Sequence, residues 1–230
     1  MVNSTLHYFY DPLCGWCYAA SPLLQAAAAL PGLSLVLHAG GMMSDSRRQP
    51  VTPALRAYVM PHDQRIAALT GLPFGADYFE GLLRDASAVF DSTPPIAAVL
   101  AAEQLGQSGL AMLSALQRAH YQHGWQIADS TVLQQIAQQQ GLDPAAFADE
   151  LQRQLALADQ HIQHSRDLMQ QYRLQGFPSL LLEQNGQLQQ VEVSPWLGQP
   201  QAFASALQGE MKSGQHAAPL CSPDGCSLPD

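Results

Sequence analysis

The sequence predicts an α/β fold in which a small sheet is interrupted by a large all-helical insertion. Three observations carry this. An aromatic strand runs into an Ala/Leu-rich helix and then a second strand within the first forty residues. Two further short strands, joined by Asn185-Gly186, lie near the other end. Between these halves stretches a long segment with helical signals and no good strand.

The first strand is Thr5 to Tyr10, short and aromatic. The helix begins around Cys14 and runs to Leu30, with Pro22 predicting a kink or an early break near Ser21. Leu33 to His38 forms the second strand, closed by Ala39-Gly40-Gly41. Strand–helix–strand makes these two strands parallel neighbours.

The helical segment holds Pro53 to Thr70, Ala76 to Arg84, Pro95 to Leu105, Ala111 to His123, Thr131 to Gln140, Pro144 to Ala156 and Ala158 to Leu174. Asp129-Ser130 before Thr131, and Asp143 before Pro144, are helix starts. Gly71 and Gly141 read as helix stops. Ser179 to Glu183 and Leu188 to Val193 are the third and fourth strands, and Asn-Gly between them predicts a type I′ hairpin. Gln201 to Met211 closes the fold as a helix.

Hydrophobic residues make up 47% of the chain, enough for a real core. The formal charge of −9 disfavours nucleic acid or an anionic membrane as partner. No apolar run reaches the length of a transmembrane helix, and no basic-then-apolar leader precedes the first strand. The expectation is a cytoplasmic protein; a secreted form numbered from its cleavage site is the alternative.

Cys14-Gly15-Trp16-Cys17 carries the chemistry. At a strand-to-helix junction, free N–H groups and the helix dipole favour an anion, here a thiolate. The thiolate is the nucleophile of disulfide exchange, so Cys14 and Cys17 are the candidate catalytic pair. In a reducing cytosol such a dithiol serves catalysis or metal binding rather than permanent cross-linking. Zinc is the competing reading, but a zinc knuckle needs a second ligand pair, and the remaining cysteines, Cys221 and Cys226, stand at the far end. His120 with His123, and His161 with His164, share helix faces at i, i+3 and could hold a metal. Such positions are more often polar surface, so no metal is assigned. Ser222-Pro223-Asp224-Gly225 favours a turn that could join Cys221 and Cys226 as a second redox pair.

The element order, with Cys14-Gly15-Trp16-Cys17 at the first helix and Gly176-Phe177-Pro178-Ser179 before the third strand, resembles the DsbA family of thiol–disulfide oxidoreductases. These have a thioredoxin-like fold with a helical insertion. Tyr10 to Tyr18, Gly40-Gly41-Met42-Met43, Phe90 to Pro95 and Arg118 to Tyr121 resemble its cytosolic FrnE-like branch, described as disulfide isomerases. The resemblance, which runs from Leu6 to about Met211, implies thioredoxin-like halves at residues 1–43 and 175–213 and a helical domain at 44–174; the Pro-, Ser- and Gly-rich composition beyond it reads as a flexible Cys-containing tail at 214–230.

It also implies a cis Pro178 facing the cysteines, supported by Gly15 and Trp16, with Phe177 and Gly176 presenting backbone to substrate. Cys14, the more exposed thiol, would attack, and Cys17 would resolve. The implied substrates are thiol- or disulfide-containing proteins or peptides. No bound cofactor is expected, and glutathione or a thioredoxin-type dithiol is the implied redox partner. Gly15-Trp16 replaces the Pro-His of periplasmic DsbA, which predicts a less oxidising centre, between about −270 and −120 mV. Trp16 is expected to touch substrate. Asp11 would raise or lower the reactivity of Cys14 according to its distance. Related superfamily members are glutathione-dependent isomerases and transferases acting on small aromatic electrophiles. They usually lack one or both redox cysteines, so both being present here favours exchange. A non-catalytic peptide-binding protein is the third reading. Oligomeric state is not legible.

Overall fold

The computed structural model describes residues 4–216. Its main sheet has the order β2-β1-β5-β6, where β1 is Ser4–Tyr10, β2 Leu33–Ala39, β5 Ser179–Gln184 and β6 Gln187–Val191. As predicted, β1 and β2 are parallel, with Tyr8 opposite Leu37. The later strands add antiparallel, with Leu6 opposite Leu182 and Leu182 opposite Gln189. Asn185 and Gly186 both have positive φ, at 51° and 74°, as a primed hairpin turn requires. The fourth strand ends at Val191, two residues earlier than expected.

The first helix, α1 (Gly15–Ala28), runs unbroken through Pro22. The early break is therefore corrected. Leu23, Leu24 and Ala27 beyond the proline are fully buried, and that burial outweighs one missing backbone hydrogen bond. The closing helix α7 (Pro200–His216) packs against α1. On β1, Leu6, Tyr8 and Tyr10 join the main core, while Phe9 packs with Leu181, Met169 and Leu174 on the opposite face.

The insertion contains α2 (Pro53–Thr70), α3 (Thr93–Gln104), α4 (Gly109–Tyr121), α5 (Ser130–Gln139) and α6 (Pro144–Gln171). Caps do their expected work. Asp129 accepts from Thr131 and Val132, Asp143 accepts from Ala146, and Gly71 closes α2 at φ 72°. The two helices expected at 144–156 and 158–174 are one, α6. No glycine or proline separates them, and Ala158 is fully buried on the continuous inner face. The helix expected at 76–84 is instead a π turn, Asp77–Gly81, followed by a 3-10 turn, Leu82–Arg84. Here the burial of Tyr78, Leu82 and Leu83 sets the backbone. A small ribbon, β3 (Gln49–Pro50) against β4 (Val89–Phe90), also stands where no strand was expected. It leads into α3 through Ser92, whose hydroxyl donates to Asp11 in the turn before the cysteines.

Candidate active site

The turn after β1 delivers Cys14 to the end of α1. Leu13 N donates to Asp11 Oδ1 at 2.9 Å, and Cys14 N donates to the Asp11 carbonyl at 3.2 Å. Cys14 is the N-cap residue, with φ −89° and ψ 113°. Its carbonyl accepts from Cys17 N at 2.9 Å and Tyr18 N at 3.1 Å. Its side chain caps no helix N–H; the sulfur faces Phe177 instead. Cys14 Sγ lies 3.6 Å from the Phe177 carbonyl oxygen, to which it donates. Both thiols are free. Cys14 is 7% exposed against none for Cys17, so it is the more exposed thiol of the pair as expected, with only an edge of it accessible.

Cys17 is completely buried. Burial first, then the hydrogen bond and charge of Cys14, push its thiol well above the usual range. Cys17 is therefore held as the neutral thiol beside Cys14. Beneath it Tyr8 and Tyr10 stack at 5.4 Å, and the Tyr8 hydroxyl donates to the Cys17 carbonyl at 3.4 Å. Burial pushes both phenols up, so they remain neutral.

Asp11 is the organising group. It is fully buried. Its Oδ1 also accepts from Ser92 Oγ at 3.0 Å, and its Oδ2 accepts from Met42 N. Ser92 in turn accepts from Met43 N and donates its own N–H to the Met43 carbonyl, both at 3.0 Å. Three of the segments that carry the FrnE-like resemblance, around Asp11, Met42 and Ser92, are thus tied into one hub. Burial raises the Asp11 carboxyl, and its three hydrogen bonds and Arg47 draw it partly back. Its charge acts on Cys17.

The opposite wall comes from the loop before β5. The Phe177–Pro178 peptide is cis, and Gly176 takes the left-handed conformation at φ 81°. The Phe177 ring lies against Gly40, where a Cβ would stand 2.0 Å from Cζ. Arg166 of α6 fixes that loop by donating to the carbonyls of Gly40 at 2.9 Å and Gly41 at 2.7 Å. Gly40 is thus the floor on which the loop of Phe177 rests.

Trp16 is half-buried and divides two clefts. The first, about 510 Å³, runs over Pro178 and is lined by Phe177, Arg65, Val193 and Ser194. The Arg65 guanidinium lies 5.9 Å from the Trp16 ring centroid. The second, about 340 Å³, lies between Cys14 and the insertion, lined by Met42, Met43, Val59, Asp63, Ile66 and Phe90 among others. Asp63 is 4% exposed and accepts from the Tyr78 hydroxyl at 2.8 Å. Burial raises its carboxyl to about 6. Sequence reading missed both α2 residues. An acid on the same buried face as Leu55 and Ile66 was a signal for Asp63; an isolated arginine on a helix gave none for Arg65.

The two histidine pairs serve separate places. His120 is buried against Tyr78, Phe90 and Tyr121, whereas His161 accepts from Ala39 N at 3.2 Å. Among the described residues no three His, Cys, Asp or Glu converge as a metal site. Cys221 and Cys226 lie outside the described residues. Among the described residues no helix is long and apolar enough to cross a membrane.

The model of the DSBA-like thioredoxin domain matches residues 5–208. The chain belongs to this family. Its chemistry is thiol–disulfide exchange. The cytosolic disulfide reductase DsbM from Pseudomonas aeruginosa is similar at 51% identity and TM-score 0.86, over 91% of this chain and 99% of that one. A structure of DsbM with GSH is similar at 50% identity and TM-score 0.84, over 90% and 99%. A candidate protein disulfide isomerase from Nitrosomonas europaea shares the fold at 22% identity and TM-score 0.77, over 94% and 100%. Curated protein sequences gave no match.

Proposed function

We propose that this family member is a glutathione-linked disulfide reductase of the cytosol, working through Cys14 and Cys17. The observation that carries the reading is Cys14 Sγ at 3.6 Å from the Phe177 carbonyl, beside Pro178 and above a buried Cys17. In this reading Cys14 attacks a substrate disulfide and Cys17 resolves the mixed disulfide. The backbone of Phe177 aligns the substrate chain along the cleft over Pro178. Arg65, the one charged side chain among the described residues lining that cleft, pairs with a carboxylate of glutathione. Similarity to DsbM supports the reductive direction and the thiol partner.

The test is a redox titration in glutathione buffers, with alkylation and mass readout of each cysteine peptide. The expected result is a reversible two-electron transition at Cys14–Cys17, between about −270 and −120 mV. Arg65→Ala should raise the KM for glutathione severalfold and leave kcat within about twofold. Absence of a Cys14–Cys17 disulfide at every poise would refute the mechanism.

The apolar cleft beside Cys14 favours a second reading, glutathione-dependent isomerisation or transfer on a small aromatic electrophile. There Cys17→Ser would retain activity, whereas the exchange reading requires its loss.

A further inference from the structure

The two clefts that meet at Trp16 have opposite character. Over Pro178 the lining carries a cation, Arg65, at its mouth. On the helical side the lining is mostly methionine, aliphatic and aromatic, with Gln49 and His62 among it, and its one carboxyl is Asp63. That carboxyl has no cationic partner among the described residues, and its hydrogen bond from Tyr78 occupies only Oδ2. Oδ1 is directed at α1, 2.7 Å from where a Cβ on Gly15 would stand. It therefore sits next to the reactive cysteine. A disulfide has two arms, and an attack by Cys14 keeps one and expels the other. A site that holds both needs two grooves reaching the same sulfur.

Resting on the glutathione-linked reading above, we propose that the protein is selective for mixed disulfides. The anionic glutathionyl arm lies over Pro178 toward Arg65, and an uncharged apolar arm occupies the cleft beside Cys14, from which Asp63 repels a second anionic arm. Cys14 thiolate attacks the glutathionyl sulfur. The new bond joins Cys14 Sγ to that sulfur, the substrate S–S bond breaks, and the electron pair leaves with the apolar thiolate, which takes a proton from solvent. Cys17 then gives up its proton, attacks Cys14 Sγ and releases glutathione thiolate. The substrate is reduced by two electrons and the cysteine pair is oxidised by two. Two further molecules of glutathione return the pair to the dithiol and leave as glutathione disulfide.

The full-length Cys17→Ser protein is treated with the mixed disulfide of glutathione and benzyl mercaptan, and the adduct on Cys14 is weighed by intact mass. The same disulfide is partitioned with 2-mercaptoethanol as the reference for intrinsic reactivity. The expected result is a glutathionyl adduct in at least tenfold excess over that reference. Equal adducts, or retention of the benzyl arm, would overturn the arm assignment.

In the dithiol protein, Asp63→Asn should raise the rate with glutathione disulfide about fivefold relative to the rate with the benzyl mixed disulfide. A gain of this kind does not arise from a damaged fold, and an unchanged ratio would overturn the role of Asp63. Val59→Phe should lower the benzyl rate at least tenfold more than the rate with a methanethiol mixed disulfide; equal effects would remove the apolar cleft from substrate binding. No adduct on Cys14 with either arm would overturn the exchange reading itself, and the arm assignment with it.

Discussion

Replacing Asp63 by Asn should change the pH dependence of stability in a defined window. The folded carboxyl titrates at about 6 against an ordinary value of 3.8, because burial disfavours its charge more than the Tyr78 hydroxyl favours it. The unfolded chain therefore gives up this proton more readily than the folded one. Stability from the neutral carboxyl is complete below about pH 3.8 and is lost as pH rises through about 6. At about 1.4 kcal/mol per pH unit between the two values, the loss is about 3 kcal/mol by pH 7.5.

Asparagine keeps an acceptor for Tyr78 and has no charge to bury. Urea denaturation of the two reduced proteins, from pH 4.5 to 8, gives the test. The stability difference should grow in favour of Asp63→Asn by about 2–3 kcal/mol over that range and level off above pH 7. Buried His38 and His120, both lowered to about 4, destabilise the fold in acid but do so equally in both proteins. Parallel stability curves would show that Asp63 carries no burial cost, and would refute the argument.

The remaining expectations concern the cysteines, the floor of the site, the hub and the acid limb. Cys14→Ser should abolish disulfide reduction, while Cys17→Ser should accumulate a mixed disulfide on Cys14 visible by intact mass; a mixed disulfide accumulating on Cys17 in the Cys14→Ser protein, with none on Cys14 in the Cys17→Ser protein, would reverse their roles. Gly40→Ala places a Cβ 2.0 Å from the Phe177 ring, so it should cost about 1–3 kcal/mol in urea and lower kcat/KM at least tenfold. A variant of full activity would mean that Phe177 does not fix substrate. Asp11→Ala strands the buried Leu13 N–H, the part-buried Met42 N–H and the Ser92 hydroxyl, for a loss of about 3–5 kcal/mol; a loss under about 1 kcal/mol would dissolve the hub. His120→Phe should remove part of the stability that the protein loses between pH 6.5 and 4, since the buried imidazole has to charge on unfolding; an unaltered acid limb would place that loss elsewhere.

The sequence by itself determined what lies within one or two turns of the chain. The strand-to-helix entry at Cys14, the Asn185-Gly186 turn, and the caps at Asp129 and Asp143 follow from backbone preference and neighbouring donors. Those forces act over a few residues, so they are legible in spacing. Where local preference met burial it lost: Pro22 did not end α1, and nothing divided α6 at residue 157.

The site itself is built across distance. Asp11 binds Ser92, Phe177 rests on Gly40, and Cys14 meets Phe177 over a separation of 163 residues. Gly40 and Ser92 stood in segments already matched to a family, yet nothing in their spacing gave their partners. Asp63 and Arg65 lie two positions apart on α2 and serve opposite sides of Trp16. Only the packing of the insertion against the sheet decides which cleft each one enters, because partner choice at long range is set by the shape of the buried core rather than by neighbours along the chain.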